Sequence, residues 1–465
     1  MFRRKWSSLP VEAEFPVDLK RLGYFINKDD EVRSIENEDN YFKFFINRNL
    51  RICDRQRFAM NQAIQDEIHR RLIGDHGLCK VSLPLPAGQV APTSANVPIF
   101  ASAKIKEKSR VVIVFGETHQ DLGILAHRIL GGKGGIEKGS LVSVVRALLQ
   151  QHCSPTDAAP PGIILANMGE LIWWPEGKRT LSKSAFDATP MRSAAHVGNW
   201  IDPKVNYVPC HESPLAHVKY IFERVMPHLV SGTAGLDIIG LGDGADVVES
   251  YLNSSATWSR IGSRINCFAS VGGQFPVWEV KCAGLQEFLR QRARAFVPSK
   301  EPSGSLLSGP SGNPLTTIFT SLGCPVFSAG DDQHVETLFI ASYPTVLDWL
   351  QEVADASASS GRPYENPMFE INYREPAGEN NHWEGLGEKG DGVVGSTEGV
   401  EGSDAGVAAL KIVTRDDVVE TDGVHPDTPA PEETRSDDQL ETARTYVIRT
   451  KPTDGDEKYP ESARA

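Results

Sequence analysis

The chain has 465 residues, 61 of them acidic and 48 basic, and a formal net charge of −13. That length exceeds one average domain, and no run of about 18 apolar residues is present, which excludes a membrane-spanning helix. The basic amino terminus has no apolar segment after it, so no secretory signal is expected.

The negative charge is concentrated at the carboxyl end. Residues 351–465 contain 26 acidic and 11 basic side chains, whereas the rest of the chain contains 35 and 37. Low hydrophobicity combined with high net charge cannot offset the entropy lost on ordering. We therefore expect a flexible amino terminus over 1–16, one folded domain over 17–354, and a disordered acidic tail over 355–465.

The amino-terminal part of the domain predicts a short helix over 17–24 and then a β-hairpin, with "ENEDN" as its turn, in "EVRSIENEDNYFKFFI". Residues 50–73 have apolar side chains at helical spacing and predict an amphipathic helix that ends at Gly74. Two strands at the edge of a sheet, over 79–85 and 97–102, are predicted next, joined by a proline-rich loop.

After residue 109 the pattern becomes strand, loop and helix, repeated. The predicted strands are 110–116, 162–168, 236–242, 264–271 and 324–330. The predicted helices are 121–130, 140–151, 214–230, 245–252, 278–294 and 343–354. Such apolar strands alternating with helices indicate an α/β fold with a mostly parallel sheet covered on both faces. Two long loops, 169–212 and 297–323, interrupt the pattern.

The stretch "GLDIIGLGDGADVVESYL" (235–252) resembles a nucleophile elbow, the strand-turn-helix G-x-S-x-G motif of serine hydrolases. Here Gly242 takes the place of the serine, so no acyl-enzyme can form at that position. Asp243 stands one residue later and is either a carboxylate nucleophile or the cap of the following helix. A dinucleotide-binding loop is not favoured, because the spacing of G-x-G-x-x-G is missing.

Two other loops could contribute to such a site. His334, in "SAGDDQHVE" after the last predicted strand, stands where a catalytic base is expected, and it is either the remnant of a triad or a surface residue. Gly116, after the first long strand, fits the loop that supplies oxyanion-hole N–H groups. Glu117 beside it would place negative charge there, which opposes catalysis.

Metal, cofactor and nucleic-acid sites are not predicted. Seven widely spaced cysteines without a C-x-x-C pair argue against a disulfide framework and a zinc finger, and favour reduced thiols in the cytosol or nucleus. Cys210, His211 and His217 lack further ligands at regular spacing. Basic clusters such as "RQRAR" (290–294) are scattered, so solvated surface is the default interpretation.

The order of these segments resembles the Argonaute-binding protein 2 domain family over about residues 17–352. The resemblance rests on "LGYFINKDDEVRSIENEDNYFKFFINRNLRICDRQRFAMNQAIQDEIHRRL", "VSLPLP", "PIFAS", "VVIVFGETHQDLGILAHRIL" and "CPVFSAGDDQHVE". It implies an α/β-hydrolase-like fold. Some relatives keep a serine elbow, an acid and a histidine, which carried over by position fall on Gly240–Gly244, on Val271 or Gly272, and on His334.

The resemblance further implies an interaction role, because two of those three positions have lost their reactive group. We expect a non-catalytic adaptor that binds Argonaute or a chromatin-silencing complex in small-RNA-directed heterochromatin formation, in the nucleus or cytoplasm. Small RNA (siRNA) is expected to be reached indirectly, through the partner. The alternative is an esterase-like hydrolase with a non-standard nucleophile near Asp243 and His334.

Overall fold

A computed structural model describes residues 9, 11–85, 95–191, 193, 199–312 and 321–369. The thirteen strands in this part of the chain are β1 (Tyr24–Ile26), β2 (Val32–Ser34), β3 (Leu78–Leu83), β4 (Val97–Ser102), β5 (Arg110–Phe115), β6 (Gly162–Ala166), β7 (Ile172–Trp174), β8 (Arg179–Leu181), β9 (Gly235–Leu241), β10 (Ile265–Val271), β11 (Ala293–Val297), β12 (Leu306–Ser308) and β13 (Val326–Ser328).

The helices that accompany these strands range from single turns to seven turns. They are α1 (Leu50–Gly74), α2 (His127–Leu130), α3 (Gly135–Lys138), α4 (Leu141–Leu148), α5 (Lys183–Asp187), α6 (Pro203–Asn206), α7 (Pro214–Tyr220), α8 (Met226–Leu229), α9 (Asp243–Leu252), α10 (Ser255–Ile261), α11 (Ala283–Arg292) and α12 (Val335–Ser360). A π-helical turn, Ile221–Val225, joins α7 to α8. None of the helices in the described ranges has the length and apolarity of a membrane span.

Nine strands form one sheet in the order β12-β13-β11-β10-β9-β5-β6-β4-β3. The six strands from β13 to β6 run parallel, while β4, β3 and β12 each pair antiparallel with a neighbour. Apolar residues of α1, α4 and α12 pack in one core cluster, and those of α7 to α11 pack in a second one. Since both clusters include sheet residues, the fold is α/β-hydrolase-like, as predicted.

A buried ion pair joins the two strands at the centre of the sheet. Arg110, at the start of β5, lies 2.6 Å from Asp237 of β9, and their side chains are only 3% and 1% exposed. The guanidinium also donates to the carbonyl oxygens of His152 and Leu350, each at 2.9 Å, and Asn266 donates to the Asp237 carboxylate. Because these bonds satisfy both charges, the pair can stand in an apolar core.

The packed region extends beyond the predicted limits of 17–354 at both ends. Glu12 is buried, and its carboxylate accepts from Arg51 at 2.6 Å and from the Met191 N–H at 2.6 Å. At the other end α12 continues to Ser360. Of the tail predicted over 355–465, residues 355–369 belong to the described part of the chain, and residues 370–465 lie outside it.

Residues 363–369 return from α12 to the sheet and enclose the side chain of Arg294. The guanidinium of Arg294 lies over the rings of Trp349, Phe327 and Phe369, at 4.9, 5.0 and 5.8 Å from their centroids. It also donates to the hydroxyl of Tyr364 at 2.9 Å. Stacking on several aromatic faces suits the planar, weakly hydrated guanidinium, so this carboxyl-terminal segment belongs to the folded domain.

Several predicted elements differ from the observed ones. The hairpin is formed by β1 and β2, so its turn is 27–31 and not "ENEDN". Turns replace the short helix over 17–24, and only α2 forms within 121–130. The predicted helix 278–294 is α11 followed directly by β11, and the long loop 169–212 contains the β7–β8 hairpin.

Candidate functional site

The turn between β9 and α9 has the shape of a nucleophile elbow. Gly242 joins the strand to the helix with φ +50° and ψ −132°, a backbone conformation that non-glycine residues rarely adopt. A Cβ atom on Gly240 would lie 2.6 Å from the Ala245 Cα, and one on Gly244 would overlap the Gly116 carbonyl oxygen. The glycine spacing therefore reflects close contact between strand, helix and the β5 loop.

Glu117 fills the space into which a nucleophile at the elbow would project. A Cβ atom on Gly242 would lie 2.6 Å from Glu117 Oε1 and 2.9 Å from its Cγ. Glu117 is 9% exposed, and its Oε2 contacts His119 Nε2 at 3.2 Å and Gln120 Nε2 at 3.4 Å. The hydrogen bond from His119 to this carboxylate raises the pKa of His119. The two positions singled out in the sequence thus meet in space.

Asp243 serves as a clamp between two loops. Its carboxylate accepts from the Thr118 N–H at 2.8 Å and from the Thr118 hydroxyl. It does not cap α9, which has no side-chain cap, so the predicted capping role is wrong. The Thr118 N–H belongs to the loop expected to supply an oxyanion hole. Because this N–H donates to the Asp243 carboxylate, it is not free to bind an oxyanion. Asp243 is thereby held away from the role of an attacking group.

Asp246, one helical turn later, is a second clamp of the same kind. Its Oδ1 accepts from the N–H groups of Gln274 and Phe275, at 2.7 and 3.0 Å, and burial raises the pKa of this carboxyl. The loop that follows β10 is therefore fastened to α9.

The positions where an acid was expected after β10 have structural roles. The Val271 carbonyl accepts from the Gly242 N–H at 2.8 Å, and Gly272, at φ +76°, donates its N–H to the Phe296 carbonyl. The following strand, β11, leads to Glu301, an exposed residue whose carbonyl oxygen accepts from the Ser328 hydroxyl. Val271 and Gly272 thus contribute main-chain bonds, and no acidic side chain, next to the elbow.

His334 precedes α12 and faces a guanidinium. Its Nε2 lies 2.9 Å from Arg128 Nη1, and because arginine can only donate, this nitrogen accepts the bond. Arg128 also pairs with Glu336 at 3.2 Å. A groove of about 430 Å³ opens at the elbow, and the residues that line it in the described part of the chain include Val335 and Glu336 but not His334. The histidine is thus bonded to Arg128 and does not itself line the elbow groove, although the next two residues do.

The groove at the elbow is acidic. Its charged side chains are Glu117, Asp243, Asp246 and Glu336, with His119 as the one imidazole among the described lining residues. Sequence reasoning named the first two and missed the other three. The available signal was positional: His119 shares the β5 loop with Glu117, and Glu336 follows His334 by two residues.

The Cys210, His211 and His217 group is a buried histidine pair with an exposed cysteine beside it. The two Nδ1 atoms lie 2.9 Å apart, and both rings are fully buried. Burial lowers the pKa of His211 to about 4 and holds the pKa of His217 well below its usual value. Within the described ranges, no group of three or more His, Cys, Asp or Glu side chains is arranged to hold a metal ion.

The sheet order and the elbow turn define an α/β-hydrolase-like protein with glycine at the nucleophile position. The chain belongs to the Arb2 domain family, whose profile matches residues 15–303. This match covers more than half of the sequence and confirms the resemblance seen in its segments.

Comparison with other proteins adds only distant structural similarity. No curated protein matches the chain. The esterase LipW from Mycobacterium marinum is 10% identical with a TM-score of 0.24, over 50% of this chain and 55% of that one. Carboxyl esterase 2 from Tuber melanosporum is 12% identical with a TM-score of 0.28, over 60% and 85%. The chain thus spans little more than half the length of LipW.

Proposed function

We propose that this chain is a non-catalytic adaptor: an α/β-hydrolase-like domain that binds protein partners and does not hydrolyse a substrate. One observation carries the proposal. The Glu117 carboxylate lies where a nucleophile at position 242 would project, and glycine supplies no reacting atom there. A negative charge at this point would also oppose the negative charge of a tetrahedral intermediate, which hydrolases of this fold must stabilise.

The alternative, a hydrolase with Asp243 as nucleophile and His334 as base, has less support. A carboxylate nucleophile must be free to attack, whereas Asp243 accepts two bonds from Thr118. A general base must reach the proton that it removes, and the His334 imidazole is bonded to Arg128 outside the elbow groove. The alternative requires both side chains to leave their present partners.

The partner that we propose is Argonaute, or a chromatin-silencing complex that contains it. This assignment rests on what the resemblance to the Argonaute-binding protein 2 domain family implies, and the Arb2 domain match over residues 15–303 is consistent with that resemblance. We place the activity in small-RNA-directed heterochromatin formation, in the nucleus or the cytoplasm. The siRNA is reached through the partner, since the basic clusters of this chain are scattered.

The absence of catalysis is tested on the purified full chain with a fluorophosphonate probe and a panel of p-nitrophenyl acyl esters. We expect no labelling and no turnover above the buffer rate. The variants Asp243→Asn and His334→Ala should give the same background. Turnover in the wild-type chain that either substitution abolishes would establish the hydrolase and overturn the adaptor proposal.

The partner is tested by affinity purification of the tagged full chain from its native cells, followed by mass spectrometry. Argonaute should be recovered, and the recovery should survive RNase treatment if the contact is between proteins. A chain that ends at residue 369 separates binding by the folded domain from binding by the acidic tail. If the purified chain brings down partners but no silencing protein, the Argonaute assignment is contradicted. The test for catalysis is not affected by that result.

A further inference from the structure

A second cavity, of about 310 Å³, lies between α1, the 121–131 segment, β8 and α5. Its size is at the lower end of that of pockets for small molecules. Neither Gly242 nor Asp243 lines it, so the adaptor proposal makes no use of this cavity.

Two buried carboxyl groups, Glu170 and Asp121, belong to the lining. Glu170 is 2% exposed, and its Oε2 accepts from the Leu122 N–H at 2.9 Å and from Gln65 Nε2 at 3.0 Å. One oxygen of Asp121 lies 3.3 Å from His127 Nε2. The other, Oδ1, is buried and has no hydrogen-bond partner within 3.5 Å among the described residues, although the Ser182 hydroxyl contributes to lowering the pKa of this carboxyl group. Buried polar atoms are normally bonded, so an unpartnered carboxylate oxygen next to a cavity needs an explanation.

Two basic side chains lie near these carboxyl groups: His127 beside Asp121 and Arg179 beside Glu170. The nearest guanidinium, Arg179, is only 3.5 Å from Glu170 Oε1 and makes its short bond, at 2.6 Å, to Gln65 Oε1. Burial and the neighbouring charge of Asp121 raise the pKa of Glu170 to about 7. A cationic ligand next to Glu170 would favour the ionised form of this carboxyl group, whereas an anionic ligand would oppose it.

The remaining walls are apolar or neutralised. Phe58, Met60 and Leu130 line the cavity with hydrocarbon surface. At its rim Arg57 and Asp54 are paired with each other at 3.1 Å and are partly exposed. The cavity thus combines an anionic end with an apolar body, the usual composition of a small-molecule site that orients its ligand by a few polar groups.

We propose that this cavity binds a small primary amine in its protonated form. The ammonium group has three donors and no acceptor, so it matches Asp121 Oδ1 and the weakly bonded Glu170 Oε1. The aliphatic chain of the amine packs against Phe58, Met60 and Leu130. A neutral alcohol of the same length lacks the charge, and a carboxylate would be repelled.

The test is isothermal titration calorimetry of the full chain with n-butylammonium chloride, with 1-butanol and sodium butyrate as matched controls. We expect saturable binding of the amine, with a dissociation constant on the order of 1 mM for a ligand of this size, and no binding of the controls. At pH 7 the bound cation should expel the proton of Glu170. The observed heat should then change with the ionisation enthalpy of the buffer, from phosphate to HEPES, neither of which is a primary amine.

Three variants and one control locate the site. Asp121→Asn should weaken amine binding at least about tenfold, which is the loss expected when a buried charge-assisted bond is removed. Glu170→Gln should abolish the proton release. Ser184→Leu places bulk at an exposed residue that lines the cavity, so it should block binding without affecting the carboxyl groups. Asp187→Asn, outside the cavity, should leave affinity within about twofold.

Equal binding of 1-butanol, or unchanged amine affinity in Asp121→Asn, would overturn the proposal. If Asp121→Asn fails to fold by circular dichroism, the Ser184→Leu result decides, because amine binding that persists in that variant must lie elsewhere. Failure to bind the amine at all also refutes this inference and leaves the adaptor role untouched.

Discussion

Replacing Gly242 by alanine tests whether Glu117 occupies the space at the elbow. Alanine at φ +50° and ψ −132° must adopt a sparsely populated backbone conformation, which costs about 1–3 kcal/mol. The new Cβ atom must also displace the Glu117 side chain, whose contacts with His119 and Gln120 are 3.2 and 3.4 Å long. Because His119, the partner at 3.2 Å, is mostly exposed and the Gln120 contact is long, these bonds contribute about 1 kcal/mol. We therefore expect Gly242→Ala to lower the free energy of unfolding by about 2–4 kcal/mol.

The two contributions separate in a double-mutant cycle. Glu117→Ala alone should stay within about 1 kcal/mol of the wild type, and in the Gly242→Ala background it should recover about 1 kcal/mol. Urea unfolding of the full chain, followed by far-UV circular dichroism, measures these differences. Gly232→Ala is the control, because a Cβ atom at Gly232 meets no neighbour within 4 Å. An additive cycle would refute the conclusion that Glu117 fills the nucleophile space.

Arg110→Met should lower the free energy of unfolding by about 3–5 kcal/mol, because it leaves a buried carboxylate without its partner. A loss below about 1 kcal/mol in urea unfolding would contradict this. A chain ending at residue 354 should be less stable by about 2–4 kcal/mol than one ending at residue 369, since it loses buried aromatic contacts; equal thermal midpoints would refute the packing described here. Between pH 7 and 5 the imidazole of residue 217 binds a proton in the unfolded chain but not when it is buried in the folded chain. The free energy of unfolding therefore decreases as the pH is lowered from 7 to 5. His217→Gln should reduce that fall by about 2 kcal/mol, and exposed His228→Gln should not.

Local sequence signals predicted the elements that depend on neighbouring residues. The glycine spacing around Gly242 identified the elbow, because the strand, turn and helix are contiguous. β11 was missed because its five residues follow α11 without a turn, so the basic run "RQRAR" continued the helical pattern. The hairpin turn was misplaced because two polar stretches, 27–31 and 36–40, compete for the role.

Contacts between distant segments had no such signal. The approach of Glu117 to Gly242 joins loops far apart in sequence, and nothing near either residue encodes the distance. The same holds for the clamp between Asp243 and Thr118, which depends on β5 and β9 lying side by side. The expectation that Glu117 opposes catalysis came from its charge alone, whereas its steric role required the fold.

The contact between Glu117 and Gly242 also limits which sequences the elbow can accept. A serine at position 242 would collide with the carboxylate, and loss of the carboxylate alone leaves a turn without a nucleophile. On the adaptor proposal, a serine nucleophile at this elbow would therefore require a change at position 242 together with the loss of the Glu117 carboxylate. The two positions are thus interdependent: a side chain at position 242 can be accommodated only together with a change at position 117.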